Sequence, residues 1–221
     1  LRMYTKVREL GNANSHTRTK EQDTIAYFWE AGSRTLTPPG MWQLLAHYIL
    51  REYKIEFIEQ ARIYALMSMA QADTAIATWH VKYLYDTARP ETMIRQRGSE
   101  LRAIGHKVHD DSSWKSLLPT PPFPAYTSGH SGFSMVSARM LALCLGRDDI
   151  RFFADATDHV NWPTQLENVR LHWTSLSNAA QQAGDSREYG GIHWEADNTE
   201  GLKLGSRIAD HVFHHAFSRK G

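Results

Sequence analysis

From Met41 to Arg89 the chain runs through 49 residues without a glycine or a proline, and the stretch is rich in Ala, Leu, Ile, Met and Gln. Those residues lose little freedom in a helix, so the run dictates long helices and leaves little room for any other architecture. Two are expected. The first begins after Thr37-Pro38-Pro39, with Thr37 as its cap, and reaches about Tyr53. The second runs from about Glu56 to Tyr85 and ends before Pro90. Ile58, Ala61, Ala65, Met69, Ala72 and Ile76 recur along it at three- and four-residue steps, an apolar stripe of the kind a helix turns toward a core.

Downstream the texture changes. Four of the eight prolines fall between Pro119 and Pro124, and apolar periodicity disappears from Gly98 to Thr127, which reads as a long ordered loop of the sort that carries function. Helix resumes at Ser128 and passes through Phe133, Val136, Met140, Leu141 and Leu143 to Gly146. A further helix is expected from Asp148 to Asp158, ended by Trp162 and Pro163, then one over His172 to Ala183, and an amphipathic run from about Ile192 to Phe217. With strand signals scarce, residues 1–221 read as one all-α domain, a helical bundle whose site lies between facing helices.

A chain of 221 residues can bury a self-sufficient core. Twenty-five basic and 24 acidic residues leave a formal charge of +1, which gives no global field for nucleic acid, so any anion binding must be local. Cys144 is the only cysteine, which rules out an intramolecular disulfide and reads as a core residue. No stretch reaches the roughly 20 apolar residues needed for a transmembrane helix. The opening Leu1-Arg2-Met3-Tyr4 lacks the order of a signal peptide and does not start with methionine, so a processed or truncated piece is expected.

Three blocks set charged and small polar residues into apolar helix ends. Lys82-x6-Arg89-Pro90 closes the long helix. If buried, its two cations repel unless an anion lies between them, and the planar arginine fork suits a tetrahedral oxyanion; alone, the pair is a solvated helix end. Tyr126-Thr127-Ser128-Gly129-His130-Ser131-Gly132 opens a helix whose unpaired N–H groups and dipole make an anion cradle. Gly129 admits a ligand close to the backbone and His130 suits proton transfer, although Ser128 as a plain cap explains the block equally well. In the third block Arg187 precedes His193, and Asp197 follows four residues later, where a carboxylate can hold one imidazole nitrogen and aim the other. Coincidence of all three is improbable.

Together, Lys-x6-Arg-Pro, Ser-Gly-His and Ser-Arg-x3-Gly-x-His-x3-Asp resemble the signature shared by vanadium haloperoxidases and type 2 phosphatidic acid phosphatases (PAP2) or bacterial acid phosphatases. Lys82, Arg89, Ser128, Gly129, His130, Arg187 and His193 fill the family's anion-site positions, and only Thr127 departs, standing where the family usually has proline. The likeness runs from about Thr35 to Phe217. It implies the helical bundle of that superfamily and an anion held by the lysine, the arginines and the cradle. Many haloperoxidases carry an additional N-terminal helical half, expected here to be missing or cut off.

The resemblance leaves two chemistries open. As a haloperoxidase, the protein takes vanadate as cofactor with His193 as the apical ligand of vanadium, and it oxidises halide with hydrogen peroxide to hypohalous acid. His130 then manages the peroxide protons and Lys82 polarises the bound peroxide. As a phosphatase it needs no cofactor: His193 attacks a phosphate ester to form a phosphohistidine, His130 protonates the leaving oxygen and Asp197 orients His193. Trp79, one turn before Lys82, and Phe123, in the approach loop, match the halide-pocket positions of chloroperoxidase-type members and favour the peroxidase; aromatic residues at such spacing are also ordinary core. A non-catalytic phosphate- or vanadate-binding scaffold is the third reading. Export to the periplasm or medium and a homodimer are implied by resemblance alone. Two further groups, His106, His109, Asp110 and Asp111, and His211, His214 and His215, lack a complete metal-site spacing and read as solvated surface, while Arg95 and Arg97 read equally as guides for anions or as a charged helix end.

Overall fold

The computed structural model describes residues 1–33, 35–156, 166 and 169–217. Among them the order is α1 (Arg2–Leu10), α2 (Lys20–Phe28), α3 (Thr37–Glu52), α4 (Phe57–Tyr85), α5 (Pro90–Gln96), α6 (Gly98–Ala103), α7 (Gly129–Leu145), β1 (Phe152–Asp155), β2 (Arg170–Trp173), α8 (Leu176–Tyr189) and α9 (Glu195–His215). The architecture is a helical bundle with one small two-stranded ribbon.

Local chemistry explains most boundaries. Thr19 and Gln22 form a reciprocal capping box on α2. Ser128 caps α7 by accepting from Ser131 N–H, and Gly146 ends that helix in the left-handed region at φ 71°. Thr37 is not the cap of α3: it is the first helical residue, at φ 58°, and its hydroxyl turns back to the Leu36 carbonyl. The expected loop from Gly98 to Thr127 holds α6 at its start and is irregular beyond it.

The helix expected over Asp148–Asp158 is replaced by β1, which pairs antiparallel with β2 in the register Phe152↔Trp173, Asp155↔Arg170. A non-local partner overrides local helix preference here: Phe152 stacks on Trp173 with centroids 4.9 Å apart, and Asp155 accepts from Arg170 Nε at 2.7 Å. His172 accordingly lies in a strand, and α8 starts at Leu176, capped by Ser175. Asp158, Trp162 and Pro163 fall outside the described residues.

The main core is shared by α3, α4, α7, α8 and α9, with Trp29, Trp42, Ile49, Leu66, Met140 and Ala180 buried in it. Trp42 donates to Ser134 Oγ at 2.9 Å, and Trp29 and Trp173 both donate to Gln182 Oε1, so each buried indole nitrogen has its partner. The closest packing joins α7 to α9. A Cβ on Gly201 would stand 2.6 Å from the Ser128 carbonyl oxygen, and one on Gly205 would stand 2.3 Å from that of Gly132. Backbone therefore meets backbone along this seam, and Ser128 N–H donates to the Asp197 carbonyl at 2.9 Å across it.

The sequence stripe on α4 faces the other way from expectation. The helix buries Ile63, Leu66, Met67, Ala70, Thr74, Thr78 and Lys82, whereas Ile58 and Ile76 are 77% and 70% exposed and Met69 and Tyr83 are also open. A helix apolar on every side offers two candidate stripes, and periodicity alone cannot say which one meets the core.

α1, not anticipated from sequence, stacks Tyr4 on Trp194 and sets Lys6 Nζ 2.7 Å from Glu188 Oε2. It leads to Gly11, whose carbonyl oxygen would lie 2.2 Å from a Cβ on Gly191, a residue at φ 74°. Only glycine fits there, and the contact braces the turn that carries His193. No helix among the described residues is long and apolar enough to cross a membrane.

Candidate anion site

The end of α4, the Arg89 turn, the α7 N-terminus and the turn between α8 and α9 bring the three motif blocks together. Lys82 is fully buried and donates to the carbonyls of Pro124 and Ala125, each at 2.9 Å. Burial, then repulsion from Arg89, lowers its pKa from 10.5 to about 7. Arg89 donates from Nε to the Phe123 carbonyl at 2.8 Å and from Nη1 to the Ile192 carbonyl at 2.7 Å. These bonds tie the proline-rich loop to the cations.

Arg89 Nη1 also stands 3.0 Å from His193 Nε2. A guanidinium can only donate, so this nitrogen is read as the acceptor and Nδ1 carries the hydrogen, which it gives to Asp197 Oδ2 at 3.0 Å. Asp197 accepts Trp194 N–H as well, at 3.0 Å, and so both starts α9 and holds the imidazole. Burial raises the Asp197 carboxyl to about 6. Burial and then the neighbouring cations, Arg89 first, hold His193 well below the usual histidine value, so the ring is neutral.

Arg187, at the end of α8, is buried and donates to the Trp29 carbonyl at 2.7 Å. Burial lowers its pKa to about 9, opposed by the Glu30 carboxylate. His130, in the first turn of α7, has Nε2 2.9 Å from the Glu30 carbonyl oxygen, which can only accept; the neutral ring thus keeps its lone pair on Nδ1. Desolvation and then Arg187 lower its pKa well below the ordinary value. Although His130 retains some surface, its ring is ringed by protein and cations, and the downward direction follows from both.

Two donors in this cluster have no protein acceptor: Arg89 Nη2 and Arg187 Nε are buried and unpartnered. Thr127 Oγ1 is likewise buried without a partner. The Gly129 position borders Trp79, whose ring would lie 3.5 Å from a Cβ there. Trp79 sits 5.4 Å from the Phe123 ring and 6.5 Å from that of Phe133, centroid to centroid, and the Phe123 ring lies 5.3 Å from Lys82 Nζ and 5.1 Å from the Arg89 guanidinium. The two aromatic residues thus form one wall beside the cations.

Sequence reading did not find Trp29 and Glu30, whose carbonyls hold Arg187 and His130, because backbone acceptors leave no signature in residue type. It also passed over Ser131 and Asn198, immediate neighbours of motif residues in the chain. Outside the site, Asp110 is engaged by Gly98 N–H and Arg102, Asp111 by Ser113, and His215 stacks on His211. Arg95 pairs with Glu91 and Arg97 with Glu100. Cys144 is half-buried against the core.

The pattern that defines the VCPO second helical-bundle domain matches residues 62–220, more than two thirds of the chain. The chain belongs to that family, the vanadium haloperoxidases. Among individual proteins, it is 28% identical over 141 residues to the vanadium chloroperoxidase of Curvularia inaequalis, covering 54% of this chain and 22% of that protein. A crystal structure described as the first bacterial vanadium-dependent iodoperoxidase superposes with a TM-score of 0.79 at 31% identity, covering 96% of this chain and 48% of the other. A holo-type bacterial vanadium-dependent chloroperoxidase gives a TM-score of 0.70 at 17% identity, over 96% of this chain and 46% of that one. The chain thus spans about half the length of these solved relatives and about a fifth of the Curvularia inaequalis one.

Proposed function

We propose that this protein binds vanadate at the Lys82, Arg89 and Arg187 cluster and uses it to oxidise halide with hydrogen peroxide to hypohalous acid. The observation that carries the reading is the pair of buried unpartnered donors, Arg89 Nη2 and Arg187 Nε, in a site of three buried cations beside the His193 Nε2 lone pair. Three buried cations outnumber the nearby Asp197 and Glu30 carboxylates, an excess of buried charge that is costly, and a tetrahedral oxyanion would supply both the missing charge and the acceptors. The α7 N-terminus at Ser128, Gly129 and His130 would add backbone N–H donors from its first turn to the same anion. No cluster of three His, Cys, Asp or Glu suited to a metal cation occurs among the described residues, and an oxyanion needs none.

Vanadate, when bound, supplies Lewis acidity toward peroxide. The chain's own residues do the rest. Lys82, Arg89 and Arg187 neutralise anionic oxygens, and Asp197 keeps His193 in the tautomer whose Nε2 can serve as a ligand. His130 Nδ1 accepts and returns a proton, while Trp79 and Phe123 present an apolar, cation-backed wall to a halide. Export and a homodimer belong to the same proposal, on resemblance to relatives alone.

A phosphatase would use the same clamp, with His193 Nε2 as nucleophile on a phosphate ester. The deciding assay takes metal-free protein through phosphate-ester hydrolysis, then bromide, chloride and iodide oxidation by peroxide after orthovanadate is added. Halide oxidation only with vanadate supports the peroxidase. Hydrolysis inhibited by vanadate, with no halide oxidation above free vanadate, makes it a phosphatase. Binding without either turnover makes it a scaffold.

A further inference from the structure

α1 lies outside residues 62–220, where the family pattern falls, yet its contacts land on the chain neighbours of the anion-site residues. Lys6 Nζ stands 2.7 Å from Oε2 of Glu188, a buried carboxylate one residue after Arg187. Tyr4 stacks on Trp194, one residue after His193, with ring centroids 6.3 Å apart and planes 18° from parallel. Between these two contacts Gly11 meets Gly191 backbone to backbone, where a Cβ on Gly11 would stand 2.4 Å from the Gly191 Cα.

Trp194 carries the contact further. Its Nε1 donates at 3.0 Å to the carbonyl of Ala88, the residue before Arg89, while its backbone N–H donates to Asp197. One residue therefore ties the turn that bears His193 to the turn that bears Arg89, and the side chains of those two residues meet at 3.0 Å. Tyr4 also shares a buried cluster with Ile94 of α5, the helix that begins directly after Arg89. α1 is itself anchored, because Trp114 Nε1 donates to the Arg8 carbonyl at 2.9 Å.

We infer that α1 is a clamp that positions Arg89, Arg187 and His193 for the bound oxyanion, with Tyr4 acting through Trp194 and Lys6 through Glu188. This deepens the anion-site reading and rests on it. Arg89 repels both Lys82 and Arg187 in the empty site, so a scaffold that holds their turns against that repulsion lowers the ordering cost of binding. Glu188 is buried, and leaving its carboxylate without Lys6 would be costly, which fastens α1 to the last turn of α8 more firmly than a surface ion pair would.

The test is calorimetric titration with orthovanadate and, separately, inorganic phosphate, with urea unfolding measured in parallel. Tyr4→Ala and Lys6→Met should each weaken binding of both anions at least about threefold, within the range of couplings between residues in contact. Tyr4→Phe keeps the ring and removes a buried hydroxyl that has no partner, so it should bind within about twofold of wild type, as should Lys6→Arg, which keeps the cation. In a Trp194→Ala background Tyr4→Ala should cost less than about twofold, because the ring it acts through is gone, and Lys6→Met should behave likewise in a Glu188→Gln background. A merely structural α1 would show lower urea stability in Tyr4→Ala and Lys6→Met with affinities unchanged. That result, or losses equally large without Trp194 and Glu188, would overturn the inference while leaving the anion site intact. Tyr4→Leu takes the place of Tyr4→Ala if the latter does not fold. A wild-type protein that binds neither anion would overturn the site reading, and the clamp with it.

Discussion

Arg89 Nη1 lies 3.0 Å from His193 Nε2, so a permanent cation faces the nitrogen that the tautomer leaves unprotonated. The arrangement disfavours imidazolium and keeps a lone pair available, with Asp197 holding the opposite nitrogen. His193→Ala is expected to abolish halide oxidation or ester hydrolysis, whichever the paired assay detects. Arg89→Lys keeps a charge but loses the fork, and should weaken orthovanadate binding at least tenfold by titration.

With Lys82 in the proposed anion site, binding should depend on pH. With its pKa lowered to about 7, the side chain of the empty protein loses its proton as pH rises through neutrality, so phosphate affinity should fall above about pH 7. Lys82→Met should flatten that part of the profile and weaken binding at pH 6 by at least an order of magnitude. Stability runs the other way. Between about 7 and 10.5 the unfolded lysine holds its proton while the folded one does not, so this group's contribution to the stability of the empty protein rises with pH over that window. Thermal melts from pH 7 to 10, compared with the variant, measure it.

Asp197→Asn keeps an acceptor for His193 while removing a buried charge. The folded carboxyl has a pKa near 6 against 3.8 for the free side chain, so between those values the native state binds more protons and wild-type stability falls as pH rises. The variant lacks that penalty, and its melting temperature relative to wild type should climb between pH 4 and 7. Turnover should drop at the same time. A constant difference in melting temperature would show that the carboxyl is not held raised.

The α7–α9 seam has no room for a methyl group at Gly201. Gly201→Ala should cost about 2 kcal/mol or more in urea unfolding and weaken anion binding, since the displaced atom is the Ser128 carbonyl. Gly146→Ala, at a left-handed cap with open space around it, should cost about 1 kcal/mol and leave binding alone.

Trp79 is 36% exposed, so Trp79→Ala should change stability little and reduce halide oxidation more than ester hydrolysis. Equal loss of both activities would assign the ring to packing.

The candidate site's residues were legible in the sequence because they fall in three short blocks of charged and small polar residues at helix ends. Ser128 and Ser131 meet within the first turn of α7, whereas His193 precedes α9 and reaches Asp197 in that helix's first turn through the extended Trp194. What the sequence hid depends on distant partners. The Phe152–Asp155 strand exists because Arg170–Trp173 lies beside it, and the outward turn of Ile58 and Ile76 reflects a choice between two apolar faces of one helix. The lysine and arginine geometry was hidden for another reason: their partners are carbonyls of Pro124, Ala125, Phe123, Ile192 and Trp29, which every residue type possesses.

Because Gly201 and Gly205 bring the backbone of α9 against that of α7, the distance between the two helices is set by backbone contact rather than by side chains. Trp79 and Phe123, by contrast, meet each other through their rings, one on α4 and one in a loop whose Phe123 carbonyl accepts from Arg89. The contact between α7 and α9 therefore leaves little room for larger side chains at Gly201 and Gly205, while the half-exposed Trp79 ring can change with less effect on that packing.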